Sequence, residues 1–257
     1  MPKLNIEGTD YYYLTNRCFG EARGQRVVYV HGTGCNSHVF ERHINALSDH
    51  QAIAIDLSGH GQSGGNGFCG VVDHAYIVAE MIRELGWGPC VVAGHSLGGG
   101  IVIALAIYFP ELVEKLMLID TGARLRVAPA VIENAKRIAH GSTVFRETRQ
   151  GFSDATPRAT VDALRKITAN EDPAVTLKDW YADDSCDFLS RVGAINAPTL
   201  AVCGREDQLT PLKYHQYLHD NMPNCELHVI EGAAHWPFVE QPERFDAVVN
   251  GFLNSTP

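Results

Sequence analysis

Six short apolar runs punctuate the chain: "VVYV" (27–30), "AIAID" (52–56), "CVVAG" (90–94), "LMLID" (116–120), "TLAVC" (199–203) and "ELHVI" (226–230). Each is nearly continuous rather than alternating, as in strands buried on both faces of a parallel sheet. Longer amphipathic stretches separate them, and helical spacing predicts helices at about 37–48, 73–86, 97–109, 211–221 and 242–254. Asp73 is placed to cap the second of these and Gly86 to close it. An antiparallel hairpin, Leu4–Ile6 with Tyr11–Thr15 and Gly8 near the turn, precedes the first run. Alternating β and α segments of this kind predict an α/β fold: a doubly wound, mostly parallel sheet.

The alternation breaks once, after what the hairpin makes the sixth strand. Between "LMLIDTG" and "NAPTLAVC" no strand pattern occurs, and segments near 129–141, 157–169 and 172–184 have helical spacing instead. Pro129, Pro157 and Pro173 stand at or near their starts, where proline is tolerated. Residues 123–190 are therefore expected to form a helical cap inserted over a core made of 1–122 and 191–257. A chain of 257 residues suits one such domain. It is long enough to bury about 70–75% of its unfolded surface.

The net charge of −9 argues against nucleic acid and against an anionic membrane surface as partners. The seven cysteines are scattered from Cys18 to Cys225 without C-x-x-C or zinc-finger spacing. That pattern fits reduced thiols in a cytoplasmic protein. The start, "MPKLNIEGTDYYYL", lacks the apolar region of a signal peptide. No apolar stretch reaches the roughly 18–20 residues of a membrane-spanning helix. The partner expected is a small molecule.

Ligands of open α/β sheets bind at the carboxyl ends of the strands. The loops there are rich in polar residues and glycine: His31-Gly32-Thr33-Gly34, Asp56 to Ser63, Gly94-His95-Ser96-Leu97-Gly98, Gly204-Arg205-Glu206-Asp207 and Glu231 to Pro237. The third stands between a buried strand and a buried helix, "VVAGHSLGGGIVIALA" (91–106). Three glycines are a poor start for a helix, each costing roughly 1 kcal/mol against alanine. A nucleophile elbow accounts for them. It holds a serine on a sharp strained turn above the sheet, with no room for side chains at the flanking positions. The helix behind the serine favours negative charge there, and Gly99 and Gly100 would let it lie close to the strands.

A serine hydroxyl needs a base, and the base needs an orienter. His235 follows the last strand and Asp207 the one before it. Asp120 and Glu206 compete with Asp207 for the orienting role, and His31, His60 and His95 are weaker candidates for the base. His215 and His219 have the i,i+4 spacing of a metal pair. With no third ligand nearby they read as a solvated helix face, and no metal is expected.

The order Ser96, Asp207, His235, together with "HGTG" (31–34), "GHSLGG" (94–99), "GRED" (204–207) and the run from Gly232 to Phe245 containing "HWPFVEQPERF", resembles the α/β-hydrolase superfamily, in particular its small capped members. The resemblance spans essentially the whole chain. It implies an α/β-hydrolase fold, Ser96 as nucleophile, His235 as base and Asp207 as acid. It also implies an oxyanion hole made by the amides of Leu97 and Thr33. The activity implied is a serine esterase with no cofactor. Thioester or carbon–carbon bond hydrolysis on the same triad, or a non-catalytic receptor for a small molecule, remain open. Haloalkane dehalogenases and epoxide hydrolases are similar but carry aspartate where Ser96 stands.

From Ala123 to Trp180 there are ten Lys and Arg against seven Asp and Glu, while the rest of the chain carries eleven against twenty-three. A basic cap would suit an anionic substrate, and Arg124 and Arg126 are the candidate contacts. Phe145, Trp180 and Trp236 are further candidates for the substrate pocket.

Overall fold

The computed structural model describes residues 2–17, 23–143 and 149–255. Eight strands form one sheet: β1 (Lys3–Ile6), β2 (Thr9–Thr15), β3 (Arg26–Val30), β4 (Gln51–Ile55), β5 (Cys90–His95), β6 (Val113–Ile119), β7 (Thr199–Gly204) and β8 (Cys225–Ile230). The helices are α1 (Glu41–Ala46), α2 (Val71–Glu84), α3 (Leu97–Tyr108), α4 (Pro129–Ala139), α5 (Arg158–Thr168), α6 (Pro173–Ser185), α7 (Leu212–Asn221), α8 (Pro237–Glu240) and α9 (Pro242–Asn254). The strand order is β1-β2-β4-β3-β5-β6-β7-β8. The hairpin β1–β2 joins β4 antiparallel, and every later pairing is parallel. This is the doubly wound sheet that the apolar runs predict.

Two apolar layers sandwich the sheet. Alternate residues of one strand enter opposite layers: Val28 and Val30 meet α2 and α3 on one side, while Val27 and Tyr29 meet Phe40, Phe238 and Phe245 on the other. The central strands are buried on both faces, so a continuous apolar run is what they require. Helix α3 is apolar all round because the sheet, α2 and α6 enclose it, and Leu97 to Ala106 are all buried. Each large aliphatic side chain buried in this way contributes about 1.5–3 kcal/mol. Two boundaries differ from expectation. The first predicted helix opens as a 3-10 turn, Ser37–Phe40, before α1. The second is capped by Gly70 rather than Asp73, which falls in the first turn of α2 instead. Among the described residues no helix is long and apolar enough to cross a membrane.

Three helices, α4 to α6, occupy the stretch between β6 and β7. The insert is fastened to the strand-end loops through α6. Asp183 Oδ2 accepts from Thr33 Oγ1 at 2.6 Å. Asp179 Oδ2, one turn earlier, accepts from the Gly34 amide at 2.8 Å and from His60 Nε2 at 2.9 Å. His60 Nδ1 faces the Ser58 carbonyl at 3.1 Å, so both ring nitrogens meet acceptors and both must donate. Burial opposes a charge on His60, but the Asp179 carboxyl outweighs it and raises its pKa. Burial pushes the Asp183 carboxyl up to about 8.

The folded protein thus holds the Asp183 proton to about pH 8, whereas an exposed aspartate releases it near 3.8. Its contribution to stability is complete below 3.8 and is lost as pH rises toward about 8. Asn in its place keeps an acceptor for Thr33 and cannot ionise. Asp183→Asn is expected to gain on the wild type in urea unfolding midpoint as pH rises through that window. Parallel midpoint curves would refute the assignment.

Candidate active site

Ser96 lies at the junction of β5 and α3 with φ 53° and ψ −118°. A non-glycine residue held at positive φ is strained and persists only where its surroundings dictate it. Here the surroundings are backbone. A Cβ at Gly94 would overlap the Gly98 carbonyl, and one at Gly98 would overlap the Val30 carbonyl. Gly99 and Gly100 leave room for the Thr121 side chain and the Cys186 sulfur. The Ser96 amide donates to Ile119 O at 3.0 Å, and its carbonyl accepts from Thr121 Oγ1 at 2.8 Å. Both backbone groups are held, while the side chain is not fully buried, unlike its neighbours from 91 to 100. Among the described residues Ser96 Oγ makes no hydrogen bond, which leaves the hydroxyl able to turn.

The structure brings His235 and Asp207 together. His235 Nδ1 lies 2.8 Å from Asp207 Oδ2. Asp207 also accepts from Thr210 Oγ1 at 2.7 Å and from the amides of Leu209 and Thr210 at 2.7 and 3.2 Å. Burial would raise its pKa, but the His235 hydrogen bond and charge, with these donors, hold it well below the usual carboxylate range. With Nδ1 committed to Asp207, the lone pair available for base chemistry is on Nε2.

His235 is tied to the elbow through His95, the residue before Ser96. His95 Nε2 donates to the His235 carbonyl at 2.8 Å, and the two rings are 4.8 Å apart. Burial holds the His95 pKa well below its ordinary value, so the ring is neutral with its proton on the donating nitrogen. Gly32 packs against the same point, since a Cβ there would come within 3.1 Å of Ser96 Cβ.

The loop at 31–34 is gripped on several sides. His31 Nδ1 donates to Gly32 O at 2.9 Å, and its Nε2 accepts from the Leu57 amide at 3.1 Å. Gly32 O also accepts from the Cys35 amide at 3.2 Å. A trans peptide points its N–H opposite its C=O, so anchoring Gly32 O fixes the direction of the Thr33 N–H. Among the described residues nothing accepts from the amides of Thr33 or Leu97. They are two unclaimed donors beside Ser96, one of them at the amino end of α3.

Asp120 adjoins Asp207. Oxygens of the two carboxyls and a His235 ring nitrogen lie within 4.8 Å of one another. Asp120 Oδ1 accepts from the Gly204 amide at 2.9 Å, while Oδ2 is buried without a partner. Burial first, then the Asp207 charge, push its pKa well above the normal range, so it is a neutral acid. The three residues are also the one group of ligand-type atoms among the described residues close enough to surround a cation. Their chemistry fits that poorly, because the histidine nitrogen nearest the carboxylate is spent on Asp207 and Asp120 is protonated.

Other expected residues fall elsewhere. Arg124 and Arg126 are exposed, and Arg124 faces Asp187 at 3.7 Å. Arg149 donates to Ser153 O and Thr156 O within the insert. Beside Thr176, the charged side chains that α6 presents to the 33–34 loop are the acids Asp179 and Asp183, so the basic excess of the insert is not what faces this loop. Trp236 packs against His95 with tilted rings, centroids 4.5 Å apart, and Trp180 is half-buried on α6. Phe145 lies outside the described residues. His215 is not on a solvated face: it is fully buried and its Nε2 accepts from the Thr121 amide at 3.0 Å.

Glu240 has a part that its sequence position leaves unassigned. Its Oε1 accepts from the amides of Ala234 and Trp236 at 2.9 and 3.2 Å, on either side of His235. Its Oε2 accepts from the Ser153 amide at 2.7 Å and from Thr156 Oγ1. The His235 amide donates to Gly151 O at 2.9 Å. The stretch 151–156 of the insert is thereby bound to the histidine loop. The one signal in the sequence was a glutamate five residues after His235 in "HWPFVE".

Comparison with known proteins agrees with this architecture. Residues 27–248 match the alpha/beta hydrolase family. A solved thermophilic esterase is 31% identical, superposes with a TM-score of 0.81, and is covered over 98% of this chain and 96% of its own. The pimeloyl-[acyl-carrier protein] methyl ester esterase of Neisseria meningitidis serogroup C is 28% identical over 243 residues, 89% of this chain and 93% of that protein. The enol-lactonase of Burkholderia xenovorans LB400 shares the fold, with a TM-score of 0.88 at 19% identity over 99% of this chain and 100% of its own. With its parallel sheet, its elbow and a match over most of its length, the chain belongs to the alpha/beta hydrolase family and is a hydrolase.

Proposed function

We propose that the protein is a serine hydrolase that cleaves small-molecule carboxylic esters through an acyl-enzyme. The observation that carries this reading is Ser96 held at φ 53° against Gly32, with the preceding residue, His95, bonded to the carbonyl of a histidine whose Nδ1 is bound to a buried carboxylate. His235 Nε2 takes the Ser96 proton as Oγ adds to the ester carbonyl. The amides of Thr33 and Leu97 stabilise the oxyanion, an effect worth about 10²–10³ in rate for each donor. The intermediate collapses, and His235 returns the proton to the departing alcohol. Water, activated by the same nitrogen, then frees the acid and restores Ser96. Every proton passes through His235, so the sequence of steps calls for no metal or organic cofactor. Esterase activity in the named relatives supports this choice of bond.

The insert serves in this reading as a lid, bound to the oxyanion loop through α6 and to the histidine loop through 151–156. Such a cover excludes water and shapes the pocket.

Ser96→Ala is expected to abolish both hydrolysis of p-nitrophenyl esters and labelling by a fluorophosphonate probe. Labelling that survives the substitution would sink the assignment. A panel of oxyesters and thioesters with matched acyl groups then reads the preferred bond. Asp207→Asn is expected to lower kcat by up to about 10⁴. Asp120→Asn should stay within a few-fold of wild type, because a neutral acid is being exchanged for a neutral amide. The reverse pattern would make Asp120 the orienter. Trp180→Ala is expected to alter the ranking of acyl chain lengths; an unchanged ranking with a lower Tm would make the insert scaffold only.

A further inference from the structure

Outside the Ser96 cluster, a set of buried ionisable groups lies where α6 meets the loop at 31–36. Asp179, Asp183, His31, His60 and His74 are all buried there. Two acids in successive turns of one helix hold two successive residues of the loop. Asp183 takes the Thr33 hydroxyl and Asp179 takes the Gly34 amide. His60 is bound to the same Asp179 oxygen and stands in edge contact with His31, ring centroids 5.0 Å apart. His31 in turn holds Gly32 O. The polar contacts on 32–34 thus converge from both sides on the peptide that carries the Thr33 N–H. Burying two carboxyls is costly unless each is well paired. Each nonetheless leaves one oxygen, Asp179 Oδ1 and Asp183 Oδ1, without a partner. Packing alone would be served as well by apolar residues, so the arrangement buys direction rather than stability.

We propose that Asp179 and Asp183 are positioning residues for catalysis, which hold the Thr33 amide at the angle an oxyanion requires, so that the oxyanion hole is complete only while α6 is docked. This rests on the serine-hydrolase reading and on Thr33 as one of its donors. The insert would then be part of the catalytic apparatus as well as a cover. Binding of the uncharged ester ground state depends little on the aim of one amide, whereas the developing negative charge of the transition state depends on it strongly. Misaiming should therefore appear in kcat with KM largely kept.

The test compares Thr33→Val, which removes the hydroxyl and leaves the amide, with Thr33→Ser, Asp183→Ala and the Thr33→Val/Asp183→Ala double variant. Rates on a p-nitrophenyl ester are normalised to the serine titrated by a fluorophosphonate, so that misfolded protein does not count. Hydrogen exchange of peptides covering 31–36 is followed alongside. Thr33→Val and Asp183→Ala are each expected to lower kcat per titrated site about tenfold, short of the 10²–10³ for deleting a donor outright. KM should stay within about twofold, as expected when an interaction made only in the transition state is lost. Thr33→Ser should restore the rate, the double variant should be no worse than either single one, and exchange in 31–36 should rise in Asp183→Ala. If kcat per titrated site is unchanged in both single variants of an enzyme whose activity still requires Ser96, the positioning role is overturned and the serine-hydrolase reading stands. Effects that multiply in the double variant would also overturn it. Activity that survives Ser96→Ala would overturn the serine-hydrolase reading itself, and the oxyanion role of the brace with it.

Discussion

The close backbone approach at the end of β5 is the constraint on which the rest depends. The chain turns from strand to helix within one residue, and that residue must sit at positive φ. The turn is possible only because the Gly94 and Gly98 positions meet carbonyls at distances no Cβ could occupy. The strain at Ser96 is held by its neighbours: the Ile119 carbonyl on the amide, the Thr121 hydroxyl on the carbonyl, and α3 packed among sheet, α2 and α6. What this produces is a hydroxyl raised out of the sheet beside a helix amino end. A flexible loop could carry the same serine but not hold it there, and pre-organisation of this kind is what the role of nucleophile proposed for Ser96 requires.

Around that point, charge is sorted by burial and pairing. His31, His95 and His215 are buried and neutral, and each uses its ring to fix a backbone group: Gly32 O and the Leu57 amide, His235 O, and the Thr121 amide. Asp120 is held neutral first by burial and then by the charge of Asp207 beside it. Asp207 keeps its charge because four donors converge on it. Two neighbouring carboxyls pushed apart in this way take different work, one as a backbone acceptor and one as the partner of His235.

Besides the contacts of Glu171 and Lys178 with Asn36, Gly61 and Asn66, the insert is bound through α6 to the loop of Thr33 and through 151–156 to the loop of His235. Both loops lie at the carboxyl ends of core strands, and neither is braced by the sheet alone. Glu240 makes the second of these attachments, since one of its oxygens orders the histidine loop and the other the insert. A mutation in the insert can therefore reach either side of the proposed reacting centre through hydrogen bonds between side chain and backbone.

Much of this was legible in the sequence, because it rests on local patterns. Continuous apolar runs specify buried parallel strands, glycines at i−2 and i+2 of Ser96 specify a tight turn, and the loss of alternation after "LMLID" marks the helical insert. The residues now proposed as catalytic all follow strands, so the topology by itself sends them to one edge. The contacts between distant segments were not legible. Asp179 and Asp183 look like two more acids on a polar helix, yet both are buried. His215 has the spacing of a solvated or metal-binding pair, yet it is an acceptor inside the core. Arg124, read as a candidate substrate contact, is exposed and faces Asp187. Lys115, in the middle of an apolar strand, is buried with its ammonium on the Phe252 and Ser255 carbonyls at 2.9 and 2.8 Å, at the end of α9. In each case the side chain's role is set by a partner far away in the chain, at 33, 34, 121, 187 or 252. Periodicity reports which face of an element is buried, and only the tertiary structure decides which polar group waits on the other side.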